Sequence, residues 1–520
     1  MGSEKSKPTA NKNRFSEAEQ KSLTQLFISY SKQQDISKAH IDNAESLQNF
    51  LSFKPDLRQQ FYKWLVIIQN KLNTSKGEKK VTFQAFASVI EYMTKSKQSY
   101  MFEEFNKKKY TSLEILCLIM FFVDEWDMIS FNKAIFTREK CSQIMSYILF
   151  IFGVESDKVI NAFLDQVFKY EENQNEITAD HFFYKTQSTL QYINRVLIDY
   201  WSNYVYNGIK QISCPELSQP SEIISNDFLP ILYSHNSSVQ HAKGLYLLYS
   251  SSKSGISFNR LAFAILGYNA PTLILIKHKE VNKETNESQT HIIGAYHQEQ
   301  WYSQLSNLHF SIKKLKIFFK NIEYQGDSQT YLFSLYPTYR TFNSYEGQGS
   351  TNYAYLNNRQ IERSKYKVGL GKIQINLRVI LGKQQAILQQ LFFTKLQGFG
   401  GNEEFNSFRF WVDDDIQANS YVKSEDKTFG SGCIVSNGRQ QTKLDVQCLE
   451  IWGIGSEENL QAQFEYRENE RREIEKMRKV DKKAMWDNGF NKEMFFGKLN
   501  AHQAQLKEEI KREDEENKEK

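Results

Sequence analysis

Between Phe15 and about Ile212 apolar residues recur three and four apart, as in Leu23, Leu26, Phe27 and Tyr30, and prolines are nearly absent. That spacing predicts amphipathic helices and an all-helical domain over residues 15–213. The longest apolar runs, Leu113 to Val123 and Ile144 to Phe152, fall short of the roughly 20 residues that cross a bilayer and are predicted to be buried core helices. Two stretches, Val81-Thr-Phe-Gln-Ala-Phe86 and Ile177-Thr-Ala-Asp-His-Phe182, have the short strand and exiting helix of an EF-hand. With Ile177 at the eighth loop position, the ligand positions fall on Tyr170, Glu172, Gln174 and His181. The same alignment at Val81 gives Thr74, Lys76, Glu78 and Ala85. Neither set supplies the carboxylates of a calcium cage, so a degenerate EF-hand-like scaffold without calcium is expected.

Cys214, Pro215, Pro220 and nearby serines mark a linker over 214–222. The pattern then changes to short β-rich runs bounded by Gly, Asn, Asp and Ser: 244–249, 271–276, 291–296, 331–335 and 449–452. Phe258 to Leu266 has helical spacing between the first two. Strands outnumber helices, which predicts an antiparallel β-sandwich with flanking helices over 223–455 and an α+β fold class. After Gly455 the composition shifts to Glu, Lys and Arg, predicting a charged helix and tail over 456–520, with Glu468 to Arg472 and Glu475 to Lys479 placed for ion pairs. Its apolar stripe is thin (Ile474, Met477, Ala484) and is followed by Trp486, Phe490, Phe495 and Phe496. This is either a solvated charged helix or a docking element. The aromatic cluster in so polar a tail makes Ile474, Met477, Trp486, Phe490, Phe495 and Phe496 the candidate partner-binding residues.

Composition changes this picture little. The 520 residues, 40% of them hydrophobic, suffice for two cores, and a net charge of +5 from 66 basic and 61 acidic residues is too balanced to imply nucleic acid. Five scattered cysteines (Cys117, Cys141, Cys214, Cys433, Cys448) lack zinc-site spacing and fit a reducing, cytoplasmic compartment. The polar N-terminus shows no secretory signal. Residues 1–14 begin Met1-Gly2-Ser3-Glu4-Lys5-Ser6, which fits N-myristoylation at Gly2 or a plain polar tail. One acyl chain binds membranes only marginally, and Lys5, Lys7, Lys12 and Arg14 would add about 1 kcal/mol each at an anionic surface.

No Gly-x-Ser-x-Gly elbow, Walker loop or complete dinucleotide fingerprint is present, so no catalytic residue, cofactor or metal is assigned. Gly430-Ser-Gly432 and Gly453-Ile-Gly455 read as turns. His291 and His297 flank a predicted strand without an evident carboxylate partner and read as ordinary polar residues. Asp413, Asp414 and Asp415 alternate faces on a strand and cannot converge on one ion. Cys433 is a redox candidate, although no neighbouring base favours its thiolate.

From about Ile223 to Gly455 the chain resembles the TLDc family. The resemblance rests on Leu245-Tyr-Leu-Leu-Tyr-Ser-Ser-Ser-Lys-Ser-Gly255, Pro271-Thr-Leu-Ile-Leu-Ile-Lys277, Gly294-Ala-Tyr296 with Trp301, and Gln325-Gly-Asp-Ser-Gln-Thr-Tyr-Leu-Phe-Ser-Leu335. Asn352-Tyr-Ala-Tyr355, Phe399-Gly-Gly401, Phe410-Trp-Val-Asp-Asp-Asp415, Thr428-Phe429 and Leu449-Glu-Ile-Trp-Gly453 follow in the family's order. The positions taken as structural markers are Gly255, Gly294, Gly326, Asp327, Gly400, Gly401, Trp411, Asp413, Glu450, Trp452 and Gly453. The resemblance implies an antiparallel sandwich and no established catalytic site.

With its candidate acylation site, EF-hand-like half and C-terminal helix, the whole chain is similar to a lysosomal subgroup of the family tied to mTOR signalling. That similarity implies peripheral attachment to lysosomal or endosomal membranes and binding to the vacuolar proton-pumping ATPase. An oxidation-resistance protein or weak redox or hydrolytic enzyme, and a structural protein of a cytoskeletal assembly, are the rival readings.

The chain departs from the family at 372–398. Without these residues Gly369-Leu-Gly would run directly into Phe399-Gly-Gly401. The basic, Gln-rich insert is either a true loop or a retained intron in an organism that reads certain stop codons as Gln, since Gly371-Lys372 can encode a GTAAG donor and Leu396-Gln397 a TAG or CAG acceptor.

Overall fold

The computed structural model describes residues 15–72, 80–94, 110–122, 133–169, 175–281, 286–301, 326–345, 351–357, 396–400, 408–413, 416–417, 419–435 and 438–487. Helix α1 (Glu17–Ser31) starts at a reciprocal capping box. The Ser16 hydroxyl accepts the Glu19 amide proton, and the Glu19 carboxylate accepts that of Ser16. After β1 (His40–Ile41) come α2 (Pro55–Leu72), β2 (Val81–Thr82) and α3 (Phe83–Thr94). Thr111 and Glu114 cap α4 (Ser112–Phe121) in the same reciprocal way. Then follow β3 (Ile135–Thr137), α5 (Arg138–Phe150), α6 (Asp157–Phe168), β4 (Glu176–Thr178), α7 (Ala179–Thr189) and α8 (Ile193–Asn207).

The two EF-hand-like segments are half of what the fold contains. β2 pairs antiparallel with β1, and β4 with β3, so two hand-like pairs are present, each joined by a short ladder. The partner strands carry only two or three paired residues, too few for a period-2 signal. Ligand positions 74, 76, 78, 170, 172 and 174 lie outside the described residues.

The chain then builds two sheets from β5 (Glu216–Leu217), β6 (Gly244–Ser250), β7 (Thr272–Val281), β8 (Ser288–His297), β9 (Tyr331–Tyr336), β10 (Arg340–Asn343), β11 (Ala354–Asn357), β12 (Leu396–Phe399), β13 (Phe410–Val412), β14 (Tyr421–Lys423), β15 (Gln441–Lys443) and β16 (Val446–Gly455). The larger sheet has the order β10-β9-β8-β7-β16-β6-β5 and the smaller β11-β12-β13-β14-β15. Every pairing is antiparallel except β5 with β6. Helices α9 (Leu229–His235) and α10 (Phe258–Ile265) lie between the early strands.

The larger sheet is covered on both faces. Leu273, Leu275, Ile292, Tyr331, Phe333 and Trp452 belong to the core of the helical half. Ile274, Ile276, Ile293, Leu332, Leu449 and Ile451 belong to a second core with Phe399, Phe410 and Val422 of the smaller sheet. Thr272 to Ile276 is consequently buried at every position, the continuous apolar run of a strand with two covered faces. The buried residues of 15–213 are thus continuous with one face of the sheet. Among the polar ties that cross that boundary, Tyr339 donates its amide to the Ala162 carbonyl (2.8 Å), Tyr192 donates its amide to the Ser234 carbonyl (2.9 Å), and the Lys158 ammonium lies 4.5 Å over the Tyr336 ring.

The expected linker at 214–222 is part of this sheet, since it contributes β5 and the Ser221 hydroxyl bonds Glu450. The last three residues of the expected insert, 396–398, lie in β12, where all three pair with β11 and Gln397 and Gly398 also pair with β13. The rest of the insert lies outside the described residues.

A second compact unit comprises residues 267–269 with α11 (Glu457–Asp487). Asn459 donates its side-chain amide to that of Asn269 (3.0 Å), and a Cβ on Gly267 would overlap the Tyr466 ring. Glu468 pairs with Arg471 at 3.1 Å, three residues on, in place of the expected Arg472. No helix among the described residues is long and apolar enough to cross a membrane.

Candidate functional site

Alternation along β16 puts Leu449 and Ile451 on the face toward the smaller sheet and Glu450 and Trp452 on the other. Glu450 is 1% exposed, so its carboxylate must be satisfied from within the protein. It accepts from the Ser221 hydroxyl (2.5 Å), the Glu222 amide (2.9 Å) and the Trp452 indole N–H (3.0 Å). The Ser221 oxygen in turn accepts the amides of Ile223 and Ile224. Glu450 and Trp452 thereby fasten the start of the sheet domain to a strand more than 200 residues later. Gly453, next along β16, pairs with Thr272 of β7 and Tyr246 of β6.

The other markers hold local structure. A Cβ on Gly294 would overlap the Ile274 carbonyl and the Phe333 ring, so β7, β8 and β9 lie this close only over glycine. Gly255 ends the short helix after β6. The Gly326 amide donates to Glu299, and Asp327 accepts the Gln329 amide in the turn into β9. A Cβ on Gly400, whose φ is +68°, would overlap the Asp426 carboxylate. Asp426 accepts the amides of Thr428 and Phe429 (3.1 Å each), which ties that dipeptide to the turn at the glycine. Asp413 accepts the Trp411 indole proton (3.2 Å) and donates its amide to Ser420. Gly401, Asp414 and Asp415 lie outside the described residues. The markers thus form separate fastenings and are not gathered round one reacting centre.

Arg409 escaped the sequence reading. It is fully buried and donates through Nη2 to the carbonyls of Gly430 (3.1 Å) and Gly432 (2.5 Å), while its guanidinium lies 5.4 Å from the Phe342 ring centre. Burial lowers its pKa, opposed chiefly by Asp426. The run Phe408-Arg-Phe-Trp411 was the available signal, since a charge alternating with large aromatics is poorly placed for solvent.

Two histidine expectations need correction. His291 does have a carboxylate neighbour: its Nε2 is 3.4 Å from Glu280, which the β7–β8 hairpin brings across. His297 is buried 4.1 Å from the Trp301 ring, and desolvation pushes its pKa down to about 3. Cys433 is half-buried, and its thiol donates to the Arg439 carbonyl (3.4 Å). Burial raises the pKa of Cys117, Cys141, Cys214 and Cys448. No cluster of metal-ligating side chains occurs among the described residues. Ile474, Met477 and Trp486 fall within α11, but their side chains lie outside the described residues, as do Gly2, Phe490, Phe495 and Phe496 entirely.

The sandwich fastened by Glu450 coincides with a family match: the TLDc domain model covers residues 217–455. These residues form a TLDc domain. Its start at 217 precedes the expected 223 because β5 already belongs to the sheet. The chain is also similar to a protein named restriction of telomere capping protein 5 from Leptosphaeria maculans, with 24% identity over 295 residues, covering 51% of this chain and 42% of the relative. The chain therefore spans less than half the length of that relative. TLDc proteins are generally regulatory and non-catalytic, and often connected with oxidation resistance.

Proposed function

We propose that this protein is a non-catalytic regulator that binds the vacuolar proton-pumping ATPase at lysosomal or endosomal membranes, in connection with mTOR signalling. The observation that carries the reading is α11, a 31-residue helix that follows β16 after the single residue Ser456. It is about 46 Å long at 1.5 Å per residue. Phe464 is 58% exposed on it, among charged neighbours. A long polar helix that keeps a large aromatic at its surface suits a partner better than a core. Membrane recruitment would come from an acyl chain on Gly2 assisted by Lys5, Lys7, Lys12 and Arg14, and steric control of rotation or assembly is the expected action.

The test is purification of the tagged full chain from its own cells beside a version truncated after Gly455 and a Gly2→Ala variant. ATPase subunits should accompany the full chain and weaken on truncation, while Gly2→Ala should shift the protein out of the membrane fraction. Absence of those subunits from both chain lengths would overturn the assignment in favour of a structural role. Cys433, half-buried and free, is the observation behind the oxidation-resistance alternative. That reading gains if Cys433→Ala abolishes protection against peroxide while the fold and the partners are unchanged.

A further inference from the structure

At one corner of the sandwich the chain leaves β15 of the smaller sheet and enters β16 of the larger through Leu444 and Asp445. The corner is tied to β7 at Asp445. Lys279 donates its amide to the Asp445 carbonyl (3.1 Å), and the Asp445 amide donates to His278 Nδ1 (2.9 Å). Beside His278, in register across the hairpin, stands His291, with ring centres 5.7 Å apart. Both imidazoles are buried, at 3% and 0% exposure.

The charged groups facing this pair come from each surrounding element: Glu280 from β7, Arg439 from the 438–440 segment and Asp445 from the corner itself. Glu280 is divided, with one oxygen 3.4 Å from His291 Nε2 and the other 3.6 Å from Arg439. The Arg439 carbonyl also receives the Cys433 thiol, and Arg340 binds the Cys433 carbonyl (3.1 Å). On the side that faces the histidines, Arg439 and Asp445 are therefore held to the larger sheet through a few polar ties.

We infer that this corner is a proton-operated latch: uptake of protons by the His278–His291 pair releases the 438–446 crossing from the β7–β8 hairpin. In the closed state His278 Nδ1, when bare, accepts the Asp445 amide at 2.9 Å and also lies 3.2 Å from the Asp445 carbonyl. A proton there gives up the amide tie and leaves only the longer contact to a carbonyl that already accepts from Lys279. A proton on His291 places a cation beside its neighbour, facing a carboxylate, Glu280, that Arg439 already shares. Burial is the main cause lowering both pKa values, and His291 reaches about 4. Both groups are thus lowered on closing, so closure is fully favoured above the ordinary histidine value of about 6.5 and is lost as pH falls toward 4.

The test is hydrogen exchange by mass spectrometry on the full chain at pH 7.5 and 5.5, after correction for intrinsic rates. Amides of 438–446 should exchange about tenfold faster at pH 5.5 for one proton taken up, while α8 in the same sample stays protected. His278→Asn keeps an acceptor near the Nδ1 position and His291→Gln a donor toward Glu280, so the double variant should remove the pH dependence. Equal protection of the wild-type segment at both pH values, or the same loosening in the folded double variant, overturns the latch. Should that variant fail to fold, deuterium exchange at the imidazole C2 positions of the wild type decides. The latch stands if His278 or His291 changes protonation over the pH range where the amides loosen, and falls if neither does.

Discussion

The two sheets of the sandwich are stabilised differently. Strands β7, β8 and β16 of the larger sheet are ten residues each and buried on both faces, whereas those of the smaller sheet have three or four. A long strand with two apolar faces is specified by burial and register together, because a one-residue slip turns every side chain to the wrong side. A three-residue strand buries too little for that. The smaller sheet is instead pinned by side chains that grip backbone: Arg409 on two carbonyls, Asp426 on two amides, and Asp413 between Trp411 and Ser420. In the larger sheet the polar side chains, among them His278, His291, His297 and Glu450, are buried and therefore costly to disturb.

Acid should separate the two most strongly. Burial lowers His235 and His291 to about 4 and His297 to about 3, and all three lie in or against the larger sheet. None of the nine histidines falls within 354–443. A folded pKa below the unfolded value of about 6.5 means stability is intact above 6.5 and is lost as pH falls toward 4. The loss is about 2 kcal/mol per group at pH 5, or roughly 6 for the three. Urea denaturation at pH 7.5 and 5 should show it, and a difference below about 2 kcal/mol would mean that these imidazoles are not held neutral.

Next in size is Glu450→Ala. It takes the acceptor from the half-buried Ser221 hydroxyl, the Glu222 amide and the fully buried Trp452 indole, and should cost about 3 kcal/mol by urea denaturation. Glu450→Gln, which keeps an acceptor, should lose less than half of that. If the two substitutions cost the same, the carboxylate charge matters more than satisfaction of its three donors.

How far these features could be read beforehand follows the same division. Pro271 to Ile276 and Leu449-Glu-Ile-Trp452 announce strands because their periodicity is local, and the family resemblance lay in such runs and in glycines such as Gly294, where backbones touch. Ser221 sat in a stretch that read as linker, since its partner Glu450 is 229 residues away. His291 found Glu280 only through the hairpin register, and Arg409 found its carbonyls only through a turn at 430–432. Long-range pairing leaves no local pattern to read. The contact of α6 with the sheet domain was hidden for the same reason, since Ala162 and Lys158 meet Tyr339 and Tyr336 more than 170 residues later.

Gly400→Ala tests the pinning of the smaller sheet at its tightest point. The left-handed backbone and the overlap with Asp426 together should cost about 2 kcal/mol. Amides of Thr428 and Phe429 should lose protection, because Asp426 must move to admit the methyl group. Strands β7 and β16 should stay as protected as before. Equal loosening of both sheets would show that they open as one unit and that the division drawn here is not energetic.

The smallest effect is expected for Trp411→Phe. Trp411 is half-buried, with its ring 4.6 Å from Phe408 and stacked at 5.9 Å on Tyr421. Phenylalanine keeps an aromatic surface and removes the indole donor to Asp413. Asp413 is itself only half-buried, so water can replace that bond and the cost should stay near 0.5 kcal/mol. Trp452→Phe makes the same chemical change in the larger sheet, where Trp452 is fully buried and its donor serves the Glu450 carboxylate. It should cost about 2 to 3 kcal/mol in the same denaturation experiment. The ratio of the two losses measures the contrast directly: identical substitutions at two tryptophan–carboxylate pairs, one open to water and one sealed between two cores. A ratio near one would mean that burial on both faces does not make the larger sheet the less forgiving of the two.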